Sequence, residues 1–95
     1  MISFIASMPL ETTDKEFIID LYEEFKNLMF YTAQKYISAP NIAEDLVQDS
    51  LVKLIEKVDV LRPMSKRTLA GYIVVTIRNT SINYLKKQAY DSKIY

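Results

Sequence analysis

The sequence predicts an all-α fold, a compact bundle of three principal helices, and three observations carry the prediction. The 95 residues include one glycine and three prolines, too few turn formers for the many tight reversals of a β-sandwich or barrel. Hydrophobic residues make up 49% and charged residues 25%, the balance of one folded domain rather than of a disordered tail. Apolar residues recur every three or four positions along three separate stretches, the repeat of a helix with one buried face.

The first helix is expected over residues 13–38. Thr13 and Glu16 have the T-x-x-E spacing of a capping box. Ile18, Leu21, Phe25, Leu28, Met29, Thr32, Ala33 and Tyr36 then form one stripe. Pro40 disfavours helical geometry at Ala39 and forces a break. Asn41, followed by Glu44, signals the start of a second helix over residues 41–58, with Val47, Leu51, Leu54, Ile55 and Val58 turned inward. Asp45, Gln48, Asp49, Val52 and Glu56 fall in another sector, an acidic surface with one exposed valine at its middle.

Residues 59–67 have no helical period and contain Pro63, so they read as a basic loop with Leu61 and Met64 as exposed apolar candidates. Thr68 is placed to cap a third helix running to about residue 88 or 90, with Ile73, Ile77, Thr80 and Tyr84 inward. Gly71 costs a helix up to about 1 kcal/mol relative to alanine, which points to a neighbour packed on its backbone. Phe25, Leu28, Leu51, Leu54, Ile73 and Ile77 are the expected centre of the core. Tyr72, Thr76, Asn79, Asn83 and Lys86 form a further stripe of this helix. An aromatic ring, amides and cations are the groups that stack on bases, bond base edges and neutralise phosphates, although amphipathic helices also carry them with no partner.

Cysteine and histidine are both absent, which removes disulfides, Cys/His zinc sites, cysteine nucleophiles and histidine-based triads. No apolar run reaches the roughly 18 residues of a spanning helix, and the first ten residues lack the basic start and long apolar stretch of a signal peptide. A cytoplasmic protein with no membrane association is expected. Net charge is zero, but it is segregated. From Glu11 to Asp59 eleven acidic residues face five lysines, whereas from Val60 onward seven basic residues face Asp91 alone. Such a split suggests two different partners, the basic half suiting nucleic acid, or else halves that pair with each other inside the fold.

The string A-E-D-L-V-Q-D-S-L-V-K-L-I-E-K-V at residues 43–58, followed by A-G-Y-I-V-V-T-I-R-N-T-S-I-N-Y-L-K-K at residues 70–87, closely resembles region 2 of bacterial RNA polymerase sigma factors. Within the sigma-70 family it looks most like the extracytoplasmic-function group, and the resemblance covers roughly residues 17–88. It implies a domain that binds core polymerase and promoter DNA to initiate transcription. The acidic helix of such a domain docks on the clamp-helix coiled coil of the polymerase β′ subunit, which places Asp45, Gln48, Asp49, Val52 and Glu56 at that interface. The loop and third helix read the −10 element, with bases flipped from the non-template strand. That assigns Arg62, Lys66 and Arg67 to the DNA backbone, Tyr72, Thr76, Asn79 and Asn83 to bases or the fork, and Lys86 and Lys87 to phosphates. Arg78 projects away from the Asn79 stripe, and an ion pair with an acidic residue of the second helix is favoured for it over a DNA contact.

The same resemblance divides the chain into an N-terminal arm (1–12), the helical domain (13–90) and a tail or linker start (91–95), with no role for Phe4 and Ile5. It adds an anti-sigma factor to the partners to be tested. Housekeeping members carry adjacent tryptophans where this chain has Val75 and Thr76, which implies weaker melting and more restricted promoters. The helix-turn-helix domain that reads the −35 element has no counterpart here, so an excised domain, or else a fragment of a longer factor, is expected. Two other classes compete: a helical adaptor that binds polymerase without DNA, and an enzyme holding a hard cation on Asp45 and Asp49. Two carboxylates without further oxygen donors do not make such a site, so no catalytic residue, metal or cofactor is expected.

Overall fold

The computed structural model describes residue 5 and residues 7–94, the last three by backbone alone. Its elements are α1 (Thr12–Gln34), α2 (Pro40–Ile55), the single turn α3 (Val58–Leu61) and α4 (Lys66–Ile94), with no strand among the described residues. Each long helix packs against the other two, and α3 fills the corner between α1 and α2. The all-α expectation holds.

The core follows most of the predicted stripes, but Tyr36, Ile55 and Tyr84, expected inward, are only half-buried. Ile18, Leu21, Tyr22, Met29 and Ala33 of α1 meet Ala43, Val47, Leu51 and Leu54 of α2 and Leu69, Ile73 and Ile77 of α4. Phe25 and Leu28 keep partial exposure, so Tyr22 and Met29 hold the central places of α1 instead. Ile5, for which the sequence offered no role, is fully buried in this core; the rest of its neighbourhood, residues 1–4 and 6, lies outside the described residues. Each buried serine and threonine hydroxyl among the described residues is bonded within its own helix: Thr32 Oγ1 donates to the Leu28 carbonyl at 2.7 Å, Ser50 and Ser81 donate to those of Leu46 and Ile77 at 2.8 Å, and Thr80 donates to that of Thr76 at 2.9 Å.

The helix starts differ from the predicted caps. Glu11 precedes α1 without a side-chain capping bond, so the Thr13–Glu16 box is absent. Pro40 occupies the first turn of α2, after Ala39, and no Asn41 cap forms; proline's fixed φ and missing N–H suit that turn. At α4 the cap is Ser65, three residues before Thr68: its Oγ accepts the Thr68 N–H at 3.3 Å and donates to Thr68 Oγ1 at 3.0 Å. The predicted loop over residues 59–67 is shortened by α3 at its start and by α4, from Lys66, at its end, and Leu61 is fully buried rather than exposed, with Met64 packed on the core beside it. Val60, one position earlier, is the apolar side chain left in solvent. Gly71 is exposed, with nothing within 4 Å of where a Cβ would stand, so no neighbour packs on it and nothing in the structure explains a glycine there. At its other end α4 continues past residue 88 to Ile94, and from Leu85 to Asp91 every residue is exposed.

Candidate functional site

The candidate site is the groove where α2 and α4 run side by side. Helical geometry places it, because inward residues of both helices serve the common core and the residues flanking them line the seam. A cleft of about 660 Å³ is bounded by Leu46, Asp49, Val52 and Glu56 on one wall and by Thr80, Asn83, Tyr84 and Lys87 on the other. A smaller cleft of about 290 Å³ follows along the same seam, where Glu56 and Lys57 face Tyr72, Thr76 and Asn79. Lys53 belongs to both.

The two sets of residues singled out on separate helices are therefore neighbours. Asp49, Val52 and Glu56 share the groove with Asn83 and Lys87, and Glu56 also with Tyr72, Thr76 and Asn79. Asp45, Asp49 and Glu56 are exposed, whereas Gln48 and Val52 are half-buried. Lys86 is exposed on α4 and lines neither cleft. Thr76 Oγ1 donates to the Tyr72 carbonyl at 2.9 Å, and Thr80 Oγ1 to the Thr76 carbonyl at the same distance. Among the described residues no group of three or more acids is arranged to hold a metal ion.

The loop cations have a different setting. Arg62 Nη2 meets Asp14 Oδ1 at 2.6 Å, and its guanidinium lies 5.0 Å from the centre of the Phe17 ring. Lys66 pairs with Glu24 at 3.1 Å. Both partners are on α1, so two of the predicted DNA contacts fasten the α3–α4 connection to the first helix. Arg67 is exposed and in no ion pair among the described residues. Arg78 likewise makes none, which corrects its expected pairing with α2. The reason is angular: the α4 side chains that line the seam with α2 are those of Tyr72, Thr76, Asn79, Thr80, Asn83, Tyr84 and Lys87, and Arg78 borders neither cleft.

Sequence reasoning passed over Lys53 and Lys57. A signal was present, since they are two lysines one turn apart beside the acidic sector of their helix. Lys53 Nζ donates to Thr80 Oγ1 at 3.0 Å and spans the groove.

The family model described as sigma-70 region 2 matches residues 21–90, which takes in α2, α3, both clefts and nearly all of α4. The chain belongs to the sigma-70 region 2 family. No curated protein and no solved structure matches it. Sigma-70 region 2 domains act in transcription initiation, where they bind core RNA polymerase and −10 promoter DNA; the family is not one of enzymes. No helix among the described residues is long and apolar enough to cross a membrane.

Proposed function

We propose that this sigma-70 region 2 domain docks on the β′ clamp-helix coiled coil through Asp45, Gln48, Asp49, Val52 and Glu56. It holds the non-template strand of the −10 element with Arg67, Tyr72, Thr76, Asn79, Asn83, Lys86 and Lys87, joined by Arg62 and Lys66 when phosphates replace their α1 carboxylates. The observation that carries this reading is the shared groove, with a carboxylate rim on α2 and an aromatic, amide and ammonium rim on α4. Carboxylates around the half-buried Val52 suit a basic coiled coil, where complementary charge sets encounter and register. Bases captured on the α4 rim offset the few kcal/mol that unpairing costs, so recognition and opening are one event.

The division into an arm (1–12), helical domain (13–90) and tail (91–95), the extracytoplasmic-function-like grouping, a cytoplasmic setting and control by an anti-sigma factor belong to the same reading. A second reading, an adaptor that binds polymerase without DNA, draws support from the pairing of Arg62 and Lys66 with α1. The deciding test is binding of a −10-region single strand to core polymerase carrying this chain. Strand binding that depends on the chain, stronger than binding of the matching duplex, is the expected result; polymerase binding without any gain in strand binding would select the adaptor.

A further inference from the structure

Lys53 and Lys57 belong to neither proposed face, yet they stand where the two faces meet. They are one turn apart, about 6 Å along the helix axis, and both border the smaller cleft. Neither forms an ion pair among the described residues, although Glu56 lines the same cleft. Lys53 gives a donor to a neutral hydroxyl instead, Thr80 Oγ1 at 3.0 Å, and that hydroxyl gives its own proton to the Thr76 carbonyl. An ammonium group has three donors, so two of Lys53 and all of Lys57 remain for an outside acceptor.

The rest of the cleft indicates which acceptor. Tyr72 offers a ring, Thr76 a hydroxyl and Asn79 an amide, a set that stacks on and bonds to a base. Its volume of about 290 Å³ lies at the low end of the roughly 300–1,000 Å³ of small-ligand sites, which is room for one base and not for a protein helix about 10–12 Å across. A base seated there brings its own backbone beside the charged groups of the lining, which are the two lysines and the single carboxylate of Glu56.

We propose that Lys53 and Lys57 form a phosphate-binding site for the nucleotide seated against Tyr72, Thr76 and Asn79, an assignment that rests on reading α4 as the DNA face. The strand then crosses the α2–α4 groove instead of following the outer side of α4. Asp49 lies outside this cleft, whereas Glu56 lines it and would repel a phosphate until the polymerase covers that carboxylate.

The test measures a fluorescent single strand of random sequence bound to core polymerase carrying the 95-residue chain, over a range of salt. Both lysines are exposed, so their replacement leaves the fold intact, which circular dichroism checks. Lys53→Gln with Lys57→Gln should make the slope of log affinity against log salt shallower by about 1.4, since each phosphate contact to a single strand contributes about 0.7. Between about 50 and 200 mM salt this is roughly a sevenfold smaller loss of affinity. Lys53→Arg should keep the original slope. Glutamine can still bond Thr80 but carries no charge, so an unchanged slope in Lys53→Gln would mean that the lysine serves only to bridge the helices, and the proposal falls. A double variant that matches the parent while Lys86→Ala with Lys87→Ala flattens the slope also overturns it, and leaves α4 as the DNA face. If the Lys86 and Lys87 change has no effect either, the reading of α4 fails and this site fails with it.

Discussion

Arg62 links the end of α3 to the first turn of α1, and the strength of that link can be worked from its geometry. The ion pair with Asp14 is short, 2.6 Å, with side chains 43% and 30% exposed. Exposed pairs couple by about 0.2–1 kcal/mol, and half-burial with a close contact puts this one near the top of that range. The Phe17 ring beneath the guanidinium adds about 0.5–1 kcal/mol. A double-mutant cycle with Asp14→Ala and Arg62→Ala isolates the ion pair from the ring contact. Urea unfolding should give a coupling of about 1 kcal/mol at low salt. In a domain of this size 1 kcal/mol corresponds to about 4–8 °C in Tm.

Salt sharpens the test. At 1 M the Debye length is about 3 Å, so the coupling should fall by at least about half, while the Phe17 contribution, probed by Phe17→Leu, should change less because the ring also packs on the core. Coupling below about 0.2 kcal/mol at low salt, with the two single changes simply additive, would refute the argument that this pair fastens the α3–α4 connection. Asp14→Asn also reads the DNA assignment of Arg62. If Arg62 contacts phosphate, freeing it from its carboxylate should raise single-strand affinity several-fold, and an unchanged or lower affinity would assign the arginine to the fold alone.

Three further outcomes are expected. Leu54→Ala, at a side chain 1% exposed, should cost about 2–5 kcal/mol, read by urea unfolding; a loss below about 1 kcal/mol would contradict the central place given to it. Asp49→Lys with Gln48→Ala should weaken a pull-down against the β′ coiled coil while circular dichroism stays unchanged, because a like-charge contact in an interface is costly; equal capture would remove the docking assignment. Asn79→Ala and Asn83→Ala should alter which −10 bases are accepted in a promoter-opening assay, since amides bond base edges, and unchanged preference in both would make that stripe a solvated surface.

The helices were legible because a buried face writes a 3.6-residue repeat into the chain, and Leu51, Leu54, Ile73 and Ile77 are all buried where that repeat puts them. Leu61 and Ile5 were not, because an isolated apolar residue in an irregular segment has no period to declare its direction. Capping was misread for a related reason. Thr13, Asn41 and Thr68 are each good cap types, but where a helix begins depends on the segment before it, and Pro40 and Ser65 set the starts of α2 and α4. For the candidate site, angles of 100° per residue separated the sectors on each helix, and Asp45, Asp49 and Glu56 are exposed as that arithmetic requires. Such angles carry no information about which sectors of two helices face each other. The groove, and with it Lys53 and Lys57, became visible only once α2 and α4 were packed together.

The segregation of charge along the chain admitted two explanations, internal pairing of the halves or two outside partners, and the structure divides the charges between them. Arg62 and Lys66, the cations nearest the turn, pair with Asp14 and Glu24 of α1. Arg67, Arg78, Lys86 and Lys87 are exposed and in no ion pair among the described residues, and so are Asp45, Asp49 and Glu56 on α2. Of these, Asp49, Glu56 and Lys87 border the same groove yet form no ion pair with one another. Holding them apart forgoes Coulomb attraction that a surface selected for stability alone could have used. Under the proposed function, the α2 carboxylates remain available to a basic coiled coil and the α4 cations to a phosphate backbone. Because Glu56 lines both clefts, covering it with a cationic partner removes a repulsive charge from beside the nucleotide cleft. Polymerase docking should therefore strengthen strand binding through electrostatics alone. Glu56→Gln should raise the single-strand affinity of the isolated chain and shrink the further gain on adding core polymerase; an undiminished gain would show that the two faces act independently.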